Sequence, residues 1–206
     1  MGKENMKKYV EMFLLAVLAG IMISVGGTVF LATEIRIVGA LMFTVGLYTI
    51  CIQKLNLFTG KVGYLPQQSW GYILDLVIIW CGNLAGTFLT AFLLGFTRIS
   101  AIAETAKNMC TVKVEDNLVS LFVLGIFCGL LMFIAVDGYA KTNNPIILFL
   151  GVATFILCGF EHCIADMFYF SMAGMWSLRA FLCVLVITLG NTLGGVLILG
   201  IRRLVQ

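Results

Sequence analysis

The sequence predicts an all-α integral membrane fold: six transmembrane helices in two inverted three-helix repeats, with the second and fifth helices broken. Three observations carry that expectation. The 206 residues are 61% hydrophobic and only 11% charged, with a mean hydropathy of +1.07, far outside the composition of soluble globular domains. Six uncharged runs approach or reach the roughly 20 residues that a spanning helix needs. A Gly-Asn motif recurs in the last run of each half.

The first run, residues 12–33, follows Lys3, Lys7 and Lys8. It is too long for the apolar segment of a signal peptide and further spans follow, so it reads as a retained helix. The second run, 37–53, is short and leads into KLNLFTGKVGYLP, residues 54–66, whose polar side chains a straight lipid-facing helix would avoid. The third, 76–97, carries GNLAGTFL from Gly82, with Asp75 just before it as either a helix-start or a functional residue. The fourth is 117–136. The fifth, 142–160, leads into GFEHCIADMFYFSMAG, residues 159–174, and the sixth, 180–201, carries GNTLGGVL from Gly190.

No Pro/Ser-rich or low-complexity linker interrupts these runs, so residues 1–206 read as one transmembrane domain with repeats at approximately 9–97 and 117–203. Three spans per half make the halves point in opposite directions, an arrangement common in transporters, whose sites lie near the midplane where helices are interrupted. The competing reading is that small residues four apart are generic helix-packing sequence. Asn83 and Asn191, which follow the first glycine of the two motifs, are candidates for supporting the breaks.

Seven cysteines form no C-x-x-C pair and fall mostly in apolar runs, where they read as small packing residues. The net charge of +3 comes from scattered residues and supports no nucleic-acid partner. Lys3, Lys7, Lys8, Lys54, Lys61, Lys141, Arg202 and Arg203 fall on one side of the spans; Arg36, Arg98, Lys107, Lys113 and Arg179 fall on the other. The positive-inside bias places the first side, with both termini, in the cytoplasm of a cell supporting the chain in its plasma or inner membrane.

Non-helical backbone at membrane depth persists only where protein buries it or water reaches it. Each break also exposes N–H groups at the start of the next half-helix, which favour an anion. Thr59 on one break and His162 on the other would together make a compact anion-binding point. The imidazole titrates near neutrality, and an intramembrane ionisable group is a functional candidate. It could attract an anion and lend it a proton, or it could be a structural histidine bonded to a carbonyl.

Glu161 and Asp166 would repel an anion unless turned away and paired or protonated, so they are expected to brace the second break by binding its orphan N–H groups. Lys141, just before the fifth span, reads as an entrance charge that concentrates anions or as an interfacial anchor.

At these residues the chain resembles the formate/nitrite transporter family over nearly its whole length. Leu57-Phe58-Thr59-Gly60 matches the family's L-F-T-[SG], residues 159–167 match G-F-E-H-x-x-A-N-M, and the paired G-N motifs fit as well. The resemblance implies a homopentamer of aquaporin-like protomers, each with its own pore for a small monovalent anion. It aligns His162 and Thr59 with the family's substrate-facing pair, places Leu47, Leu57 and Phe43 at one hydrophobic constriction, and places Phe155 at the other.

Two positions depart from the family pattern. Asp166 stands where the motif usually has Asn, and Gly129 stands at the position that aligns with a fourth-span Asn in formate and nitrite members. Hydrosulfide, a weak hydrogen-bond acceptor, would miss that donor least, so the glycine points toward the family's hydrosulfide-conducting branch.

An aquaporin-like channel for neutral solutes is the main rival, but the paired Asn-Pro-Ala signature is absent and Pro66 and Pro145 lie in neither required context. A haem protein would need two axial ligands, and the chain has one histidine. No catalytic triad, metal-ligand cluster or cofactor motif argues for an enzyme.

Overall fold

Four helices of the computed structural model, which describes residues 3–205, are long and apolar enough to cross a bilayer. They are α1 (Lys3–Ala32), α4 (Tyr72–Gly95), α6 (Leu118–Thr142) and α9 (Leu178–Val205). Between α1 and α4 lie α2 (Arg36–Ile52), the single turn α3 (Phe58–Lys61) and a 3-10 turn, Val62–Gln67. Between α6 and α9, α7 (Ile146–Cys158) and α8 (Cys163–Ala173) meet at a bend of 57°.

By length and composition the described residues thus hold four continuous spans and one broken span, with α2 a shorter apolar helix of 17 residues. The second expected crossing is not a continuous helix because the chain leaves helical geometry after Ile52 and resumes it for only one turn at Phe58. Residues 1, 2 and 206, the ends of the expected domain, lie outside the described residues.

The halves repeat one another. α1 packs along α4 as α6 packs along α9, and α2 meets α7 across the middle. Both long pairs approach through glycine: a β-carbon at Gly86 would overlap the Val17 carbonyl, and one at Gly194 would overlap that of Ile126. Small residues let helix backbones approach this closely where lipid offers no hydrophobic drive for association.

One helix was absent from the sequence expectation. α5 (Ile102–Glu115) joins the halves and buries Ile102, Ala106, Cys110 and Lys113, residues spaced to share one face. That face packs on α8, which is covered by protein all round: every residue from Glu161 to Phe170 is buried. The non-helical turn before α8 therefore sits where its polar backbone can be satisfied without lipid contact. All seven cysteines are free thiols, and Cys110, Cys128, Cys163 and Cys183 are buried packing residues.

Candidate functional site

The two breaks are built alike. α7 ends with Gly159 in the left-handed conformation (φ 73°), Gly159 N–H donating to Ile156 and Phe160 N–H to Phe155. α2 ends the same way, with Lys54 N–H donating to Cys51 and Leu55 N–H to Ile50, but the left-handed position is Lys54 (φ 53°). This pattern satisfies the last carbonyls of a helix and favours glycine. The β-carbon of Lys54 therefore carries a steric cost that Gly159 avoids.

Each half-helix that follows is held by an asparagine from the other side of its repeat. The Asn83 side-chain oxygen accepts from Phe58 N–H (2.9 Å), while its amide donates to the carbonyls of Ala16 (2.8 Å) and Asn56 (2.9 Å). The Asn191 oxygen accepts from Cys163 N–H (2.9 Å), and its amide donates to Gly125 and Glu161, both 2.8 Å. Both side chains are fully buried, so each satisfies three backbone groups that water cannot reach. The Gly-Asn motif thus has two uses: its glycines let helices approach and its asparagine caps a break.

These bonds also set the true register of the repeat. Asn56 and Phe58 flank Leu57 as Glu161 and Cys163 flank His162, so the counterpart of His162 is Leu57. Thr59 lies two residues beyond that counterpart, and the chain crossing brings it to His162 from the opposite half.

His162 and Thr59 meet directly. His162 Nε2 lies 2.9 Å from Thr59 Oγ1, and His162 Nδ1 accepts from Ala165 N–H at 3.1 Å. A ring nitrogen that accepts cannot carry a hydrogen, so in this geometry the imidazole is neutral with its proton on Nε2. Nε2–H then donates to Thr59 Oγ1, leaving the hydroxyl hydrogen for a further acceptor. Thr59 is 1% exposed and His162 2% exposed, so an acceptor arriving here is stripped of most of its water.

Apolar side chains flank this pair. Leu47 and Leu57 line a cavity of about 650 Å³ together with Lys54, Lys61 and Tyr139. On the other side Phe155 stacks on His162, with ring centroids 5.7 Å apart and planes 20° apart, and both line a cavity of about 260 Å³ with Arg36 and Lys113. Phe43, expected beside Leu47 and Leu57, instead meets Phe155 edge-on at 6.2 Å. It stands one helical turn before Leu47 on α2, and that turn carries it past the pair to the Phe155 side.

Gly129 is the second correction. It faces α9: a β-carbon there would overlap the Asn191 carbonyl oxygen and lie 2.7 Å from the Asn191 α-carbon. Gly20 meets the Asn83 backbone in the same way in the first half, so the glycine is a packing residue of the repeat. Gly129→Asn is accordingly expected to lower stability by about 3 kcal/mol through overpacking against α9. Denaturation of the detergent-solubilised protein checks this; an unchanged midpoint would show that the α6–α9 contact does not require a glycine at 129.

The carboxylates also differ from expectation. Glu161 and Asp166 bind no orphan N–H group through their side chains. Both face Lys113 of α5, Glu161 Oε2 in direct contact and Asp166 Oδ1 at 3.0 Å. Lys113 is 7% exposed, and sequence reading counted it only among the flanking charges. Its signal was its place on the Ile102, Ala106, Cys110 face, where an exposed lysine would not sit.

Lys141 Nζ pairs with Asp137 at 2.6 Å, and Asp137 also accepts from Tyr64 Oη at 3.2 Å. The lysine lines a cavity of about 560 Å³ with Arg202 and Arg203, its own charge offset by the carboxylate. Asp75 pairs with Lys8 at 3.3 Å, tying the start of α4 to α1.

Comparison with known proteins agrees with this architecture. The family described as "Formate/nitrite transporter" matches residues 1–205. The chain is similar to the formate channel FocB of Escherichia coli (strain K12), 27% identical over 188 residues covering 80% of this chain and 67% of that protein. Among solved structures it superposes on an "FNT family ion channel" with a TM-score of 0.85 at 22% identity, covering 95% of this chain and 90% of the other. It also superposes on a "Pentameric formate channel with formate bound" with a TM-score of 0.79 at 24% identity, covering 97% of each.

Proposed function

The chain belongs to the formate/nitrite transporter family, and from that premise we propose that it conducts the small monovalent anions of weak acids through a pore centred on His162 and Thr59. Its relatives are named as channels and transporters, so it is a multi-pass membrane transport protein and not an enzyme. The observation that carries the finer reading is the 2.9 Å contact between His162 Nε2 and Thr59 Oγ1, made by residues of opposite breaks; Leu47 and Leu57 line one neighbouring cavity and Phe155 the other, which supports reading them as two apolar constrictions.

Lys54 and Lys61 on one side, and Arg36 on the other, raise the local concentration of anions in the two cavities. An anion that passes Leu47 and Leu57, or Phe43 and Phe155, leaves its water behind and meets the Thr59 hydroxyl. The hydroxyl donates its hydrogen to the anion while accepting from Nε2–H.

When the ring gains a second proton at Nδ1, releasing Ala165 N–H, the site can also neutralise its guest. The Nε2 proton passes to Thr59 Oγ1 and the hydroxyl hydrogen passes to the anion, leaving a neutral ring, a restored hydroxyl and a neutral acid. Charge and protons balance, and the uncharged acid crosses the second apolar constriction without the penalty of a bare ion.

The sequence argument for hydrosulfide rests on Gly129. That residue faces α9, so it offers no ground for ranking hydrosulfide above formate or nitrite. The assembly is a pentamer of such protomers in a plasma or inner membrane. The face with Lys54, Lys61, Lys141, Arg202 and Arg203, and both chain ends with it, lies in the cytoplasm by the positive-inside bias.

The test is flux of formate, nitrite and hydrosulfide into liposomes holding the purified protein, with His162→Ala and Thr59→Val beside it. We expect one or more of the anions to move and His162→Ala to cut that flux about ten-fold or more, as for loss of a positioned proton donor. No flux of any of the three, or flux of neutral solutes alone, would overturn the anion reading.

A further inference from the structure

Resting on that reading, we propose that Asp166 makes the wall of the His162 cavity a titratable charge gate, so that conduction depends on a proton held by the Glu161–Asp166 pair as well as on His162. The observation is a mismatch of charge. One ammonium, Lys113, serves two carboxylates: it touches Glu161 Oε2 and lies 3.0 Å from Asp166 Oδ1. Asp166 Oδ2 is buried with no hydrogen-bond partner among the described residues, in a residue only 1% exposed.

The group is close to the pathway. Lys113, Glu161, Asp166 and His162 line the same cavity of about 260 Å³, and Asp166 N–H donates to the His162 carbonyl at 3.0 Å. With one proton on the carboxylate pair, the three groups sum to zero; without it they sum to minus one.

Among the described residues no other counter-charge reaches the two carboxylates at contact distance. From the break come Glu161 and His162, and from α5 Lys113 and the thiol of Cys110. α8 itself adds Cys163 and Tyr169, α6 adds Cys128, and α9 adds Cys183. Thiols and phenols in their ordinary range carry no charge at neutral pH. Arg179 is turned to the carbonyls of Val114 and Asp116, and Arg36, which lines the same cavity and donates to the Ile156 carbonyl at 3.1 Å, is a fixed positive charge that does not titrate with the pair.

A negative charge added to this dry wall weakens its hold on the anions the pore conducts. Loss of the proton therefore closes this cavity electrostatically, and binding of the proton opens it. An asparagine at 166 would leave one carboxylate facing one ammonium, a wall that is neutral without any added proton. Asp166 thus sets the pH range of conduction without touching the guest.

The experiment is anion flux in proteoliposomes from pH 5 to 9 for wild type, Asp166→Asn and Glu161→Gln, each checked for assembly and thermal stability. Wild-type flux is expected to fall on raising the pH more steeply than that of either variant. At the alkaline end Asp166→Asn should exceed wild type by on the order of ten-fold, the effect of removing one unit charge from a poorly screened wall. Glu161→Gln leaves the same single pairing and should behave alike, which covers failure of either variant to fold. Superimposable pH profiles for wild type and the variants would overturn the gate while leaving anion conduction intact; absence of flux in the wild type would overturn the function itself.

Discussion

Asn191→Ala is expected to destabilise the protein by about 5 kcal/mol and to abolish anion flux. Three buried backbone groups, the N–H of Cys163 and the carbonyls of Gly125 and Glu161, lose their partner at once. Each unsatisfied group costs about 1–3 kcal/mol, and the protein that covers α8 admits no lipid-side alternative. These groups hold the break on which His162 stands, so the ring loses its position opposite Thr59. A fall of on the order of 10 °C in the melting midpoint checks the size. Asn83→Ala should produce a similar loss through Phe58, Ala16 and Asn56. A midpoint within a degree of wild type for either variant would show that the asparagines do not bear the breaks.

Lys113→Met has an effect of comparable size with a different pH signature. It leaves Glu161 and Asp166 buried without a cation, and breaking a buried ion pair from one side costs about 3–5 kcal/mol. The loss should be greatest at high pH, where both carboxylates are ionised, and shrink at low pH, where protons replace the missing ammonium. The triple variant Lys113→Met, Glu161→Gln, Asp166→Asn should recover most of the stability, since none of its side chains is charged. Denaturation curves at pH 5 and pH 8 check both statements. A pH-independent loss would point to packing of the lysine stem instead of its charge.

Both predictions turn on residues that differ in how far the sequence exposes them. Asn191 and Asn83 were visible because each lies in a motif repeated at the same place in two halves, and a repeat is legible wherever local residues perform the same local task. His162 and Thr59 were visible for a related reason: polar groups inside apolar runs need a use. Lys113 was not, because it lies in a charged connecting stretch whose periodicity is short and whose other residues are ordinary solvent-facing ones. Glu161 and Asp166 were correctly placed at the break, but their partner came from that unread helix.

By itself the sequence determined the class of the molecule, the positions of its two interruptions and the pair of residues that meet between them. Hydropathy and the exclusion of unsatisfied backbone from lipid act on short segments, so they can be read along the chain. Only the tertiary structure decided that Phe43 sides with Phe155, that Gly129 seats α6 on α9, and that Lys113 answers two carboxylates. Each depends on how one helix is turned and placed against another, and on a helix one residue turns the side chain by about 100° while one turn moves it about 5.4 Å along the axis, so small differences in docking decide which side chains meet.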